Sequence, residues 1–148
     1  MASAVTTEYL SSVLKVMSFD FDPDNTVPTD VSWQDMRDFN AVLMQVFHSV
    51  GTGTIVAFLL LANDQSNGGG TDVTVKTHAL TNQPDAVGDY IHLECLASEL
   101  PPLNPAGLKL RYVSANIDPN VSTDEFVVVY VFGQPRFAYS GLTAESIA

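Results

Sequence analysis

The chain has a single cysteine, Cys95, in 148 residues, so no internal disulfide can hold it together and its fold rests on apolar burial and backbone pairing. Basic residues are scarce as well. Six lysines and arginines stand against seventeen acidic residues, a formal charge of −11, and the six (Lys15, Arg37, Lys76, Lys109, Arg111, Arg136) are scattered along the chain. Such a chain repels a phosphate backbone, so direct nucleic-acid binding is not expected. Long apolar runs are missing: Ile55 to Ala62 falls well short of the ~20 residues of a membrane-spanning helix. The opening MASAVTTEYLSS has neither the basic nor the apolar region of a signal peptide. Neither membrane insertion nor export by the standard signal is expected, and synthesis in a cytoplasm is. There is no repeat of fixed period and no low-complexity tract beyond Gly68-Gly69-Gly70, which argues against propellers and solenoids.

What the chain does contain is β-prone sequence cut by turn residues. The stretch Phe39 to Ala62 holds two apolar runs on either side of Gly51-Thr52-Gly53. At a period of two, Val42, Met44, Val46 and Val50 share one face while Phe39, Ala41, Leu43 and Phe47 share the other. Both faces are largely apolar, and the second run repeats the pattern. The glycines can take the positive φ of a tight turn, so the stretch reads as a β-hairpin of two adjacent strands, covered on one side by a second sheet and on the other by a partner subunit.

Further strands are expected at Thr6 to Phe21, at Asp72 to Leu80, and at Tyr90 to Ala97, where Ile91, Leu93, Cys95 and Ala97 oppose His92 and Glu94. Leu108 to Ile117 and Phe126 to Phe132 (FVVVYVF) complete the set. Pro23 and Pro28 make Asp20 to Asp38 a surface loop, anchored by Trp33, and the three prolines of Pro101 to Pro105 make a rim loop. Asp118-Pro119-Asn120 reads as a turn. With no helical period beyond three turns, the expectation is an all-β antiparallel sandwich, jelly-roll-like, of about seven or eight strands. Residues 1–148 form one domain: an N-terminal segment and acidic loop over 1–38, a β core over 39–132, and an extended C-terminal tail over 133–148.

Candidate chemistry is sparse. Asp20, Asp22 and Asp24 alternate as the hard oxygen ligands of a calcium loop do, but Asn25 stands where that loop needs Gly and Val31 where it needs Glu, so the segment reads as a solvated acidic loop. His92 and Glu94 share a strand face, and His48 or His78 could complete a metal centre of the cupin type; three histidines in a chain of this length are ordinary, and rim or surface roles are expected instead. Cys95 lies on an apolar face, where burial raises a thiol pKa, and no G-x-S-x-G elbow accompanies it. Gly51 to Thr54 lacks the lysine and following helix of a phosphate cradle. No catalytic, cofactor or metal residue is assigned, and the chain is not expected to be an enzyme. Charged residues make up only 16% of it and apolar ones 46%, a thinly charged surface that suits contact between subunits.

The stretches HSVGTGTIVAF (His48 to Phe58), VKTHALTNQPDAVGDYIHLECLASEL (Val75 to Leu100) and LKLRYVSANI (Leu108 to Ile117) resemble the small β-rich virion proteins of tailed bacteriophages, above all the short head proteins called cement or decoration proteins. The resemblance spans most of residues 39–132. It implies a non-enzymatic homo-oligomer, most often a trimer, that binds the major capsid protein on the outer face of the head and stiffens the lattice. The loop at Asp20 to Asp38 and the arm from Gly133 are the expected contacts to neighbouring subunits. The competing expectations are a cupin-like metal-binding enzyme and a carbohydrate-binding β-sandwich module. The first would need its histidines to converge, and the second usually exposes several aromatics, whereas Trp33 is the only tryptophan.

Overall fold

A computed structural model describes residues 14–22, 26–79, 84–102 and 110–135. The strands are β1 (Lys15–Phe21), β2 (Thr29–Asp30), β3 (Gln34–Asp35), β4 (Phe39–Val50), β5 (Ile55–Asn63), β6 (Val73–Thr77), β7 (Tyr90–Leu96), β8 (Tyr112–Pro119) and β9 (Glu125–Pro135), with a 3-10 turn at Ala97–Glu99. They form two antiparallel sheets, β1-β9-β4-β7 and β2-β8-β5-β6, with β3 also on β8. Because β2 and β3 pair with the same strand in sequence, they act as one interrupted edge.

The pairings nest. β1 lies on β9, β2 and β3 on β8, β4 on β7, and β5 on β6, as in one long hairpin whose bend is the β5–β6 connection. Rolling that ribbon brings β9 against β4 and β8 against β5, which is the jelly roll. The sandwich expected from sequence is therefore present, but the hairpin at Phe39–Ala62 is not. β4 and β5 sit in opposite sheets, and the Gly51–Thr54 turn carries the chain across the sandwich. A short glycine turn is compatible with either outcome; the long partners β9 and β8 take the edges that β4 and β5 would have offered each other.

Local alternation supplies the core. On β4 the residues Val42, Met44 and Val46 are buried, and on β9 so are Phe126, Val128, Tyr130 and Phe132, facing Phe58 and Leu60 of β5 and Val113, Ala115 and Ile117 of β8. Each valine, leucine, isoleucine, phenylalanine or methionine among them contributes about 1.5–3 kcal/mol on leaving water. Several boundaries shift from those read in the sequence. β8 starts at Tyr112 and runs through Asp118 and Pro119, so the turn there begins at Asn120. The Asp20 to Asp38 segment includes β2 and β3 rather than forming one loop, and its Asp20 end belongs to β1. β9 continues to Pro135, past the expected start of the C-terminal tail at Gly133; the rest of the tail, 136–148, lies outside the described residues, as do 1–13.

The 26–38 segment is tied down through Asp30. Its Oδ1 accepts from Asn116 Nδ2 at 2.7 Å and its Oδ2 from Trp33 Nε1 at 3.2 Å. Trp33 is the expected anchor, and a Cβ at Gly68 would collide with its indole. Between β2 and β3 the ladder is half made at Ala115: Val31 N donates to Ala115 O at 2.9 Å, and Tyr130 from the other sheet takes the Ala115 N–H. Its hydroxyl accepts from Ala115 N at 2.7 Å and donates to Ser32 O at 3.0 Å, and burial raises its pKa above the ordinary tyrosine value. This polar bridge across an apolar core ties the two sheets in one relative position. Tyr130→Phe strands the Ala115 N–H in the interior and should lower stability by about 1–3 kcal/mol, read as a shift of the urea midpoint at unchanged m-value.

Candidate interaction surface

The residues singled out in the sequence do not converge. Asp20 is an exposed member of β1, paired in register with Val127, Asp22 follows the strand, and Asp24 lies outside the described residues; because β1 runs on through Phe21, Asp20 belongs to a strand rather than to a loop. His92 and Glu94 both point outward from β7 and are exposed, as alternation predicts. His48 points the opposite way, into the core. His78 sits just after β6 with its ring 6.2 Å from that of Phe58. Burial, then the neighbouring His92, push its pKa below the ordinary value. Among the described residues no group of three or more His, Cys, Asp or Glu could hold a metal ion.

A pairing that was not visible in the sequence lies beneath the Gly51 turn. His48 stacks on Phe126, ring centroids 4.9 Å apart, and its Nε2 stands 3.6 Å from Asp124 Oδ2 with both side chains fully buried. Neither ring nitrogen, nor that carboxylate oxygen, has a hydrogen-bond partner among the described residues. A Cβ at Gly51, whose φ is +105°, or at Gly53 would overlap the Asp124 carboxylate, so both glycines are required by close approach and the first also by its backbone. Thr54 N donates to Asn120 Oδ1 at 2.8 Å, and Asn120 N donates to Thr54 O at 2.9 Å. The β4–β5 and β8–β9 turns are thus locked together, with the His48–Asp124 pair as their buried polar contact. The pair sits where the two turns meet and acts as a structural clasp.

The outer face of the β1-β9-β4-β7 sheet is of a different character. Reading across the strands, one row is Val16, Val131, Leu43 and Glu94, the next Ser18, Val129, Gln45 and His92, and the next Asp20, Val127, Phe47 and Tyr90. The centre of this face is half-buried valine, leucine and phenylalanine, and its margins expose Val16 (61%), Tyr90 (58%), Leu96 (48%) and Leu14 (40%). The Phe47 and Tyr90 rings lie 5.4 Å apart. At the Leu14 end a groove of about 560 Å³ opens between Leu14, Ala41, Leu43, Leu96, Val131 and Gln134, with Cys95 also in its lining. Lys76 and Glu99 close one side as an ion pair, and Glu99 is held below the ordinary carboxylate pKa by the Leu96 N–H and then by Lys76. This face is the apolar second side predicted for β4, and no other part of the described chain covers it.

No protein-family model matches the sequence, and no curated protein does. Solved structures similar to it include the SPBc2 prophage-derived protein YomS, at 13% identity over 80% of this chain and 94% of that one, with a TM-score of 0.46. Another is a protein of Bacillus endospore appendages, described as a family of disulfide-linked pili, at 10% identity over 82% of this chain and 88% of that one, with a TM-score of 0.42.

Two outcomes follow from the site geometry. Burial, and secondarily the Glu99 charge, push the Cys95 thiol up to about 11, so at pH 8 only about 0.1% is thiolate; labelling by a thiol reagent should be slow in the folded protein and become fast on adding denaturant. For the clasp, removing one partner leaves the other buried and unpaired, so His48→Ala and Asp124→Ala should each destabilise strongly, while the double variant loses less than their sum. Denaturant unfolding of the three should give a coupling of about 1–3 kcal/mol; strict additivity would rule the clasp out.

Proposed function

We propose that this chain is a structural virion protein of a tailed bacteriophage, a cement or decoration protein that assembles as a homo-oligomer, most simply a trimer, and binds the major capsid protein on the surface of the head. The observation that carries the reading is the apolar outer face of the β1-β9-β4-β7 sheet, exposed on a chain of charge −11. Contiguous apolar surface of this kind marks association, and like-charged copies can approach one another most closely where charge is thinnest. Val16, Leu43, Val129, Val131 and Leu96 make such a place, with Glu94, His92 and Asp20 at its margins. The acidic balance keeps the protein off packaged DNA, consistent with work on the outside of a capsid. A stiff jelly roll with no helix among the described residues long and apolar enough to cross a membrane suits a lattice clamp. The resemblance of His48 to Phe58, Val75 to Leu100 and Leu108 to Ile117 to phage head proteins supplies the virion context. The competing metal-enzyme reading needs His92 and Glu94 joined by His48 or His78; His48 lies in the core, and although His78 neighbours His92, no group of three or more His, Cys, Asp or Glu able to hold a metal forms among the described residues.

The test mixes purified protein with capsids that lack it and measures co-sedimentation and capsid survival on heating. Binding with a raised rupture temperature is expected. Light scattering at micromolar concentration should return about three times the mass of the 16.0 kDa chain, and Val16→Asp combined with Leu96→Asp should reduce it to the monomer. A wild-type monomer under those conditions would defeat the oligomer.

A further inference from the structure

The strand directions bring four connections to the same end of the roll. β1, β4, β6 and β8 all run toward it and β2, β5, β7 and β9 all run away from it, so the described residues 26–28, 51–54, 84–89 and 120–124 lie at that end. This end has two properties that alternation along individual strands does not require. Valines at or beside each connection are solvent-exposed: Val27, Val50 and Val56, Val87 at 63%, and Val121 at 37%. The charges beside them are of one sign. Asp22, Asp85, Asp89 and Glu125 are exposed, and none of the four connections contains a lysine or arginine. His78 does not offset them, because its pKa is lowered. The described basic residues sit elsewhere: Lys15 opens β1 and Arg111 precedes β8, both at the opposite end, Arg37 precedes β4, and Lys76 is paired with Glu99; Lys109 and Arg136 lie outside the described residues.

The end is also held in shape. Gly88 N donates to His48 O at 2.9 Å and His48 N to Asp89 O at 3.0 Å, which fixes the Val87 turn on β4. Thr54 and Asn120 join the Gly51 and Val121 turns, with the His48–Asp124 clasp beneath them. Exposed apolar side chains on such a frame lose little further conformational entropy when a partner covers them.

We propose that this loop end, presenting Val50, Val56, Val87 and Val121 among Asp85, Asp89 and Glu125, is the docking surface for a protein surface that is apolar at its centre and bears lysine or arginine around it. Charge complementarity selects that occupant. Nucleic acid is repelled, and a second copy is a poor match, since its own loop end is acidic and, among the described residues, its Arg37, Lys76 and Arg111 are paired with Asp38, Glu99 and Asp35, leaving Lys15 over the Phe132 ring. The inference rests on the capsid-binding reading for the identity of the partner, and it separates the two surfaces: the sheet face joins copies, and the loop end meets the capsid.

Two arms test it. In the first, amide NMR follows the labelled protein during titration with a peptide of alternating lysine and leucine. Shifts should concentrate at residues 50–56, 84–89 and 120–125, weaken with added salt, and require about tenfold more peptide in Val87→Ser/Val121→Ser and in Asp85→Lys/Glu125→Lys. These positions are exposed, so unchanged thermal unfolding should show the variants folded. Shifts centred on the sheet face, or variants that bind as the wild type does, would overturn the proposal. In the second, capsids lacking the protein should bind both variants about tenfold more weakly while light scattering shows their oligomer unchanged. Capsids that bind wild type and variants alike overturn the docking surface and leave the capsid reading standing. Capsids that bind no wild type, with the peptide still mapping to the loop end, overturn the capsid reading and keep the surface chemistry.

Discussion

The crossing from β4 to β5 at Gly51–Thr54 is the constraint on which the rest of the structure depends. A turn this short would ordinarily return a strand alongside its predecessor. Here it must leave one sheet and enter the other, and it does so around the Asp124 carboxylate, against which Gly51 and Gly53 pack too closely for a Cβ. Once the turn crosses, β4 is left with both edges free for β9 and β7, and β5 with both for β8 and β6. The nested pairing of the roll follows from that separation. The same crossing places the β8–β9 turn over the β4–β5 turn, since Asn120 and Thr54 must satisfy each other's backbone groups.

Among the described residues the interior of the sandwich holds few polar groups, and several of them sit where the ladder is interrupted. Tyr130 is needed because the segment between β2 and β3 meets the Ala115 carbonyl, through Val31 N, and leaves the Ala115 N–H to the hydroxyl. Asn116 and Asp30 close the neighbouring position. His48 and Asp124 occupy the place where the chain changes sheets. Buried polar groups of this type restrict the number of ways two apolar sheets can slide against each other, because a shifted register would leave them without partners.

The molecule then divides its outer surface by charge. The β1-β9-β4-β7 face is apolar with a few charges at its margins, and the loop end mixes exposed valines with carboxylates. The first offers a partner apolar area with little charge to desolvate, and the second offers apolar contacts ringed by a single sign of charge.

Much of this was legible in the residues. The alternation of Tyr90 to Ala97 placed Cys95 inside and His92 and Glu94 outside, the run Phe126 to Phe132 was a strand, Trp33 was an anchor, and both faces of Ala41 to Phe47 were apolar; each depends only on a side-chain period within one segment, whereas at the ends of that strand Phe39 joins the core and Val50 is exposed. The jelly-roll class also followed, from strand number and turn spacing. What the sequence could not contain was the choice of neighbours. Whether β4 pairs with β5 or crosses from it is decided by competition with strands far along the chain, and the two-residue strands β2 and β3 exist only because β8 is there to pair with. The His48–Asp124 contact was hidden for the same reason: a histidine before a glycine turn and an aspartate before a distant strand carry no mutual signal until the roll closes. Local patterning thus set which residues face inward, and tertiary pairing decided which strands meet, because backbone hydrogen bonding is indifferent to side-chain identity and its partners are chosen by the packing of the whole.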